Sequence, residues 1–365
     1  MSSALFQPFT IKGLTLPNRI VMAPMTRSFS PGGVPTADVA AYYERRARGE
    51  VGLILTEGTV IPHRKVSSND ANVPHFYGDE ALSGWKNVVS AVHGAGGKIA
   101  PQIWHVGMIR NADKMWNPED RSAGPSGLVK PGRKTGEPMS EEDVADAVAA
   151  YAASAKYAKD LGFDALELHG AHGYLIDQFF WEGTNERGDT YGGDMVARTR
   201  FAADVVKAVR AAVGPDFVVI LRYSQWKQQD YTARLAPSPD ELGAFLTPLA
   251  DAGVDVFHCS TRRFWEPEFE GSDMNLAGWT KKLTGVPTIT VGSIGLKSDF
   301  LTSFTSSELD SGTLDQLENR VAKGEFDLVA VGRALIANPN WATMLREGTL
   351  SQAKEYTPET LGVLV

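Results

Sequence analysis

The sequence predicts a closed (β/α)8 barrel, a parallel sheet rolled on itself in which each strand leads into a helix. Short apolar, β-branched runs recur at roughly regular spacing along the 365 residues, and segments with helical periodicity lie between most of them. Because eight such runs are present and no strand-like run is left over in the middle, a barrel is favoured over a doubly wound sheet. The predicted strands are residues 19–22, 53–56, 99–103, 165–168, 218–222, 254–258, 288–291 and 328–331.

The helices between these strands carry recognisable start and stop signals. Ser140 followed by Asp143 resembles a capping box, and an apolar face then continues until Gly162 ends the predicted helix. The later segment between Ser238 and Gly253 repeats this arrangement, with a proline in its first turn. The two segments therefore predict helices that return the chain to the start of the next strand.

Three segments fall outside the repeat. Residues 6–16 precede the first strand and are expected to form a hairpin that closes the bottom of the barrel. Residues 110–137 follow the third strand without helical periodicity and are rich in Gly, Pro, Asn and charge. Because loops of that length usually cap a site, this extended loop is expected to cover one. The segment 297–323 after the seventh strand is also enlarged.

Composition and charge limit the functional classes. The net charge of −8 and the pI near 5.5 argue against a nucleic-acid partner, which needs clustered Lys and Arg. The single cysteine, Cys259, excludes an intramolecular disulfide and any Cys-ligated iron–sulfur or structural zinc site. Residues 1–10 do not resemble a signal peptide, and nowhere do eighteen apolar residues run together. We expect one cytoplasmic domain over residues 1–365 that binds no membrane; monomer and homo-oligomer remain equally open.

Polar side chains gather where the predicted strands end. His169, His172 and Tyr174 follow the fourth strand on a turn that contains two glycines. In such barrels the active site lies at the carboxyl ends of the strands, and a phosphate is commonly held by the loops after strands seven and eight. Those loops are 291–295 and 331–333 here, each with a glycine that lets backbone N–H groups approach an anion. The other polar residues at strand ends are Thr26, Glu57, Gln102, Trp104, His105, Arg222, His258, Ser293 and Arg333.

The motifs at these strand ends resemble the Old Yellow Enzyme family. The resemblance lies in residues 23–26, 102–107, 169–174 with 177–179, 185–193, and Arg222 with 332–333, in order along nearly the whole chain. It implies an enzyme that binds FMN non-covalently, takes electrons from NADPH or NADH, and reduces the C=C bond of an α,β-unsaturated carbonyl. The implied partner is thus a small unsaturated molecule.

The resemblance also implies roles for individual residues around the flavin. It places Arg222 at N1 and O2 of the ring, where a permanent positive charge favours the reduced anion. The residues implied around the isoalloxazine ring are Pro24, Met25, Thr26, Gly58 and Gln102. The residues implied at the phosphate are Gly292, Ser293, Gly332 and Arg333.

On the substrate side, the resemblance implies that His169 and His172 donate hydrogen bonds to the carbonyl oxygen and that Tyr174 supplies a proton to the α-carbon. Many relatives carry asparagine where this chain has His172; either side chain can donate. Trp104 and Trp265 are the predicted walls of the substrate pocket.

Two other functions are compatible with parts of the pattern. A metal-dependent hydrolase or aldolase on the same fold requires His169 and His172 to be joined by a third ligand, for which His105, His258 and Glu57 are the candidates. A flavin-binding barrel without turnover, acting as a sensor or partner module, is the non-enzymatic alternative. Arg222, taken singly, is compatible with a buried ion pair to Glu57 or Glu167.

Overall fold

A closed barrel of eight parallel strands forms the centre of the molecule, as the sequence predicts. The computed structural model describes residues 3–63, 65, 68, 70–109, 122–296 and 312–365. The strands are β1 Phe9–Ile11, β2 Leu14–Leu16, β3 Ile20–Met22, β4 Leu53–Val60, β5 Ile99–Trp104, β6 Leu128–Lys130, β7 Arg133–Lys134, β8 Ala165–His172, β9 Val218–Lys227, β10 Val256–Ser260, β11 Thr288–Val291 and β12 Leu328–Val331. Around the barrel the strand order is β10, β11, β12, β3, β4, β5, β8 and β9.

Helices pack around the outside of the barrel and bury their apolar faces against it. The capping box of α3 is present, because Ser140 Oγ accepts from the Asp143 amide while the Asp143 carboxylate accepts from the Ser140 amide. Helix α7 begins after Ser238 and ends at Gly253 in the left-handed conformation, as predicted. The helices are α1 Ala37–Arg48, α2 Asp79–Gly94, α3 Glu141–Asp160, α4 Leu175–Phe180, α5 Met195–Arg198, α6 Arg200–Val213, α7 Pro239–Ala252, α8 Leu276–Thr284, α9 Gly312–Ala322, α10 Arg333–Ala337 and α11 Trp341–Glu347.

The predicted N-terminal hairpin is formed by β1 and β2, which pair antiparallel. Leu14 and Leu16 are buried in one apolar cluster with residues near the strand starts, including Leu53, Ala165 and Val218. The hairpin therefore closes the amino end of the barrel and leaves the carboxyl end for a ligand.

Both enlarged segments extend partly beyond the described residues. Of the loop 110–137, residues 110–121 lie outside them; the remainder contains the small antiparallel pair β6 and β7. Of the segment 297–323, residues 297–311 lie outside them, and α9 follows. Among the residues that the structure describes, no helix has the length and apolar character needed to span a bilayer.

Candidate active site

A cavity of about 410 Å³ opens at the carboxyl ends of the barrel strands. That volume is within the range usual for small-molecule sites. Fourteen of the fifteen site residues predicted from the sequence line it. They are Pro24, Met25, Thr26, Gly58, Gln102, Trp104, His169, His172, Tyr174, Arg222, Gly292, Ser293, Gly332 and Arg333.

Trp265 is the exception, and its predicted place in the pocket wall is wrong in this structure. Its ring stands edge-on to Phe264, 5.3 Å between centroids, and packs against the hydrophobic core instead of the cavity. The cavity wall is formed by Trp226 and Tyr231, whose rings stack at 5.5 Å. Trp226 lies four residues after Arg222 on β9, so strand periodicity could have placed both on one face.

His169, His172 and Tyr174 converge on one side of the cavity. The His169 ring meets those of His172 and Tyr174 edge-on, at centroid distances of 5.2 and 5.0 Å. The Tyr174 ring also stands edge-on to Trp104 at 5.0 Å. These contacts place two imidazoles and a phenol within reach of one small ligand.

The two imidazoles have different surroundings. His172 stacks on Trp226 at 4.5 Å, and its Nε2 lies 2.7 Å from Ser260 Oγ. The His169 imidazole hydrogen-bonds to none of the residues that the structure describes, and its Nδ1 is buried. His169 is therefore the imidazole with unused hydrogen-bonding capacity.

A tight turn at Gly173 joins the histidines to the phenol. The Gly173 amide donates to Asp177 Oδ2 at 2.6 Å, and its carbonyl accepts from Gln178 Nε2 at 2.7 Å. Gly173 has φ 80°, a left-handed conformation that favours glycine. His172 itself adopts φ 66°, a backbone conformation that residues other than glycine rarely adopt and that often accompanies functional sites.

Burial sets the protonation states at the site. It lowers the pKa of His169 and His172 well below the usual imidazole value, and Arg222 acts in the same direction. Burial raises the pKa of Tyr174, only partly opposed by a hydrogen bond from Gln228. At neutral pH the site therefore presents two neutral imidazoles and a protonated phenol.

A hydrogen-bonded chain of buried side chains runs across the barrel beneath the cavity. Gln102 Nε2 donates to Glu167 Oε1 at 2.7 Å, and His258 Nδ1 lies 2.6 Å from Glu167 Oε2. Arg222 Nη2 lies 3.5 Å from Ser260 Oγ, and its Nε has no partner among the described residues. Neither Glu57 nor Glu167 forms an ion pair with Arg222 in the part of the chain that the structure describes.

The ligand set required by the metal-dependent alternative is not assembled. His105 Nε2 lies 3.0 Å from His63 Nδ1, and Glu57 Oε2 accepts from the backbone amides of Arg27 and Ser28. His258 is engaged by Glu167. The described ranges contain no group of three or more His, Cys, Asp or Glu side chains that could hold a metal ion.

The two predicted phosphate loops lie side by side, because β11 and β12 are neighbours in the barrel. Gly292 has φ 145°, and a Cβ there would lie 2.8 Å from Thr261 Oγ1, so only glycine fits. Gly332 and Arg333 line the same end of the cavity, where the Arg333 guanidinium lies 5.7 Å from the Tyr356 ring centroid. The glycine loops and the Arg333 guanidinium at this end of the cavity suit a bound anion.

Comparison with known proteins agrees with this geometry. The NADH:flavin oxidoreductase / NADH oxidase family matches residues 4–352. A putative 12-oxophytodienoate reductase 2 of Oryza sativa subsp. japonica is 33% identical over 353 residues, which covers 92% of this chain and 85% of that protein. An NADPH dehydrogenase of Halalkalibacterium halodurans is 32% identical over 369 residues, 98% of each chain. The structure of morphinone reductase in complex with tetrahydroNAD has a TM-score of 0.81 and 29% identity, covering 98% of this chain and 93% of that one.

The cavity also has the chemistry that FMN requires. An amide and a guanidinium, from Gln102 and Arg222, lie at one part of its wall, and the paired glycine loops with Arg333 lie at another. Arg222 Nε is buried and has no partner among the described residues, which fits a polar ring edge. The backbone at Gly292 leaves a space that a Cβ would fill, which fits a phosphate. On its sequence, its barrel and this donor set, the chain belongs to the NADH:flavin oxidoreductase family of Old Yellow Enzyme and is an oxidoreductase that holds FMN and takes electrons from NAD(P)H.

Proposed function

We propose that this enzyme reduces the C=C bond of an α,β-unsaturated carbonyl. The observation that carries the proposal is the cluster of His169, His172 and Tyr174, which offers neutral N–H donors and a protonated phenol at one side of the cavity. Two similar proteins are named as reductases of 12-oxophytodienoate and of morphinone, which supports a small organic substrate. The bound flavin supplies the hydride.

In this proposal the first-strand loop and Gln102 would hold the flavin ring. Thr26 would hydrogen-bond a ring carbonyl, and Arg222 would supply positive charge that favours the reduced anionic ring. The loops with Gly292, Ser293, Gly332 and Arg333 take the phosphate. Pro24, Met25 and Gly58 contribute flat apolar contacts.

The histidines stabilise the charge that develops on the substrate. A neutral imidazole N–H donates to the carbonyl oxygen, and this hydrogen bond strengthens as the oxygen becomes an enolate. His169 has this capacity unused, whereas His172 already contacts Ser260. The Tyr174 hydroxyl then gives its proton to the α-carbon. Trp104 and Trp226 enclose the substrate.

Tyr174→Phe tests the proposed proton transfer. We expect flavin reduction by NADPH to keep its wild-type rate, while reoxidation by cyclohexenone slows by about 10²–10⁴-fold, the usual contribution of a positioned general acid. Anaerobic stopped-flow absorbance in the flavin's blue band separates the two half-reactions.

The matched control is Tyr157→Phe, which removes a phenol hydroxyl from the outer helix α3 and should change neither rate. Unchanged reoxidation in Tyr174→Phe would exclude this residue as the proton donor. If the wild-type enzyme is reduced by NADPH but not reoxidised by any enone, the substrate proposal itself is wrong.

A further inference from the structure

Gln102 is held in one amide orientation by residues that do not line the cavity. Its Nε2 donates to Glu167 Oε1 at 2.7 Å, and the two residues are register neighbours on β5 and β8. A flipped amide would set Gln102 Oε1 against the carboxylate oxygen, bringing two acceptors together. Glu167 therefore selects the orientation in which the Gln102 oxygen is available to the cavity.

His258 in turn holds Glu167. The His258 Nδ1 lies 2.6 Å from Glu167 Oε2, and both side chains are fully buried. Burial lowers the pKa of His258, while Glu167 acts in the opposite direction. As a neutral ring, His258 must carry its proton on Nδ1 to donate to the carboxylate. Both Glu167 oxygens are thus engaged, which leaves the carboxylate no alternative position.

The orientation of Gln102 matters because of the chemistry of the flavin edge. The pyrimidine ring of an isoalloxazine presents an N3–H donor between two carbonyl acceptors. An amide oxygen accepts from this N–H, whereas an amide NH2 in its place would set donor against donor. The remaining Nε2 hydrogen of Gln102 can then serve a neighbouring carbonyl.

We propose that Glu167 and His258 are positioning residues that fix Gln102 to present its oxygen to flavin N3–H. This inference rests on the proposed placement of the pyrimidine ring against Gln102. Glu167 hydrogen-bonds to Gln102, His258 hydrogen-bonds to Glu167, and neither lines the cavity, so their hydrogen bonds reach the cavity through the Gln102 amide.

Glu167→Gln is the direct test, because it keeps the shape of the side chain. If the oxygen of the introduced amide accepts from His258, its NH2 faces Gln102 and drives that residue to turn its own NH2 into the cavity. We expect the FMN dissociation constant to rise roughly tenfold, the cost of one mismatched hydrogen bond. With FMN labelled with ¹⁵N at N3, the N3–H resonance should move upfield as its acceptor is lost.

Ile220→Val is the matched structural control. Ile220 is buried and is the register neighbour of Glu167 on β9, so this variant loosens the same layer of the barrel without touching the hydrogen bonds. The N3–H resonance should keep its wild-type position there. An equal shift in Ile220→Val and Glu167→Gln would overturn the proposal, since general loosening would then explain both.

Gln102→Leu separates this inference from the flavin placement on which it rests. If Gln102→Leu leaves FMN affinity and the N3–H resonance unchanged, the ring placement is wrong. If Gln102→Leu weakens binding but Glu167→Gln does not, the positioning role alone is overturned. We expect the double variant to bind FMN about as tightly as Gln102→Leu, because the hydrogen bond of Glu167 reaches the cavity through the amide that Gln102→Leu removes.

His258→Phe provides a second test should Glu167→Gln fail to fold. Phenylalanine keeps the ring shape and removes the donor to Glu167 Oε2. We expect a smaller loss of FMN affinity, roughly threefold, with broadening of the N3–H resonance as the carboxylate gains freedom. Wild-type affinity together with an unchanged resonance would overturn the role of His258.

Discussion

His169 and His172 lie on the same strand end but differ in what holds them. His172 is fixed by the Trp226 ring and by Ser260, so its orientation is set before any ligand arrives. His169 makes only ring contacts with His172 and Tyr174 among the residues that the structure describes. We infer that His169 provides the stronger donor to a ligand oxygen, because one ring nitrogen of His172 is already engaged by Ser260.

His169→Ala tests this difference. Phenolates mimic the enolate, and their charge-transfer band over the flavin reports binding. We expect His169→Ala to weaken phenol binding by about 10- to 100-fold, the value of one hydrogen bond to a charged oxygen, and His172→Ala to weaken it less. Trp265→Phe lies outside the cavity and serves as the control with unchanged affinity. Unaltered phenol affinity in His169→Ala would refute the donor role.

At the scale of elements, the long strand β9 carries the support for the catalytic turn. Its last residue, Lys227, is fully buried and donates to Asp177 Oδ1 at 2.6 Å, and Asp177 Oδ2 accepts from the Gly173 amide. Burial raises the pKa of Asp177 and lowers that of Lys227, while each charge opposes the shift of the other. The ion pair thus connects β9 to the start of α4 beneath Tyr174.

Lys227→Met should destabilise the protein by about 3–5 kcal/mol, because it leaves the Asp177 carboxylate buried without its partner. The double variant with Asp177→Asn should recover much of this loss, since no uncompensated charge remains. Urea unfolding of the holoenzyme measures both. Equal stability of the single and double variants would mean that the charge pair is not the cause.

The sequence predicted the barrel well because apolar runs mark the buried part of each strand. It placed the strand ends too early at β4, β8 and β9, where polar residues continue the pairing beyond the apolar run. Trp226, on the unpredicted end of β9, was therefore missed as a cavity wall, whereas Trp265, implied by the family resemblance, does not line the cavity. Contacts such as Glu167 with His258 join residues 91 positions apart, a distance at which hydropathy carries no signal.

At the scale of the whole molecule, the end of the described chain returns to its beginning. Arg27 donates to the carbonyl oxygens of Thr360, Leu361 and Val363, and Leu361 lines the cavity. Tyr356 forms another part of the same wall. The cavity is therefore completed by a segment far from the barrel strands in sequence, which strand-end reasoning could not reach.

Protonation connects the stability of the whole fold to pH. Burial lowers the pKa of six histidines. The pKa falls to about 4 for His63 and His75, and it lies below the usual imidazole value for the other four. The others are His105, His169, His172 and His258. Each is neutral in the folded chain and gains a proton on unfolding below about pH 6.5, so its contribution to stability is present above that pH and is lost as the pH falls.

Three buried carboxyls, Glu57, Glu268 and Asp177, act in the opposite direction because burial raises their pKa. Burial raises the pKa of Glu57 and Glu268 to about 7, so the folded chain binds their protons before the unfolded chain does. Their contribution is present below the unfolded pKa and is lost as the pH rises through about 7. Because six histidines oppose three carboxyls, the histidines decide the sign below about pH 6.5.

We therefore expect the free energy of unfolding to fall steadily between about pH 6.5 and pH 4.5, with each net proton contributing about 1.4 kcal/mol per pH unit. Urea unfolding of the holoenzyme with excess FMN, followed by tryptophan fluorescence at a series of pH values, measures this slope. His63→Gln should flatten the slope by about one proton, because the pKa of the half-buried His63 is lowered to about 4 and His63 lies outside the cavity, so flavin binding is unaffected. A free energy of unfolding that stays constant or rises on acidification would show that the buried carboxyls, rather than the histidines, govern the acid response of the fold.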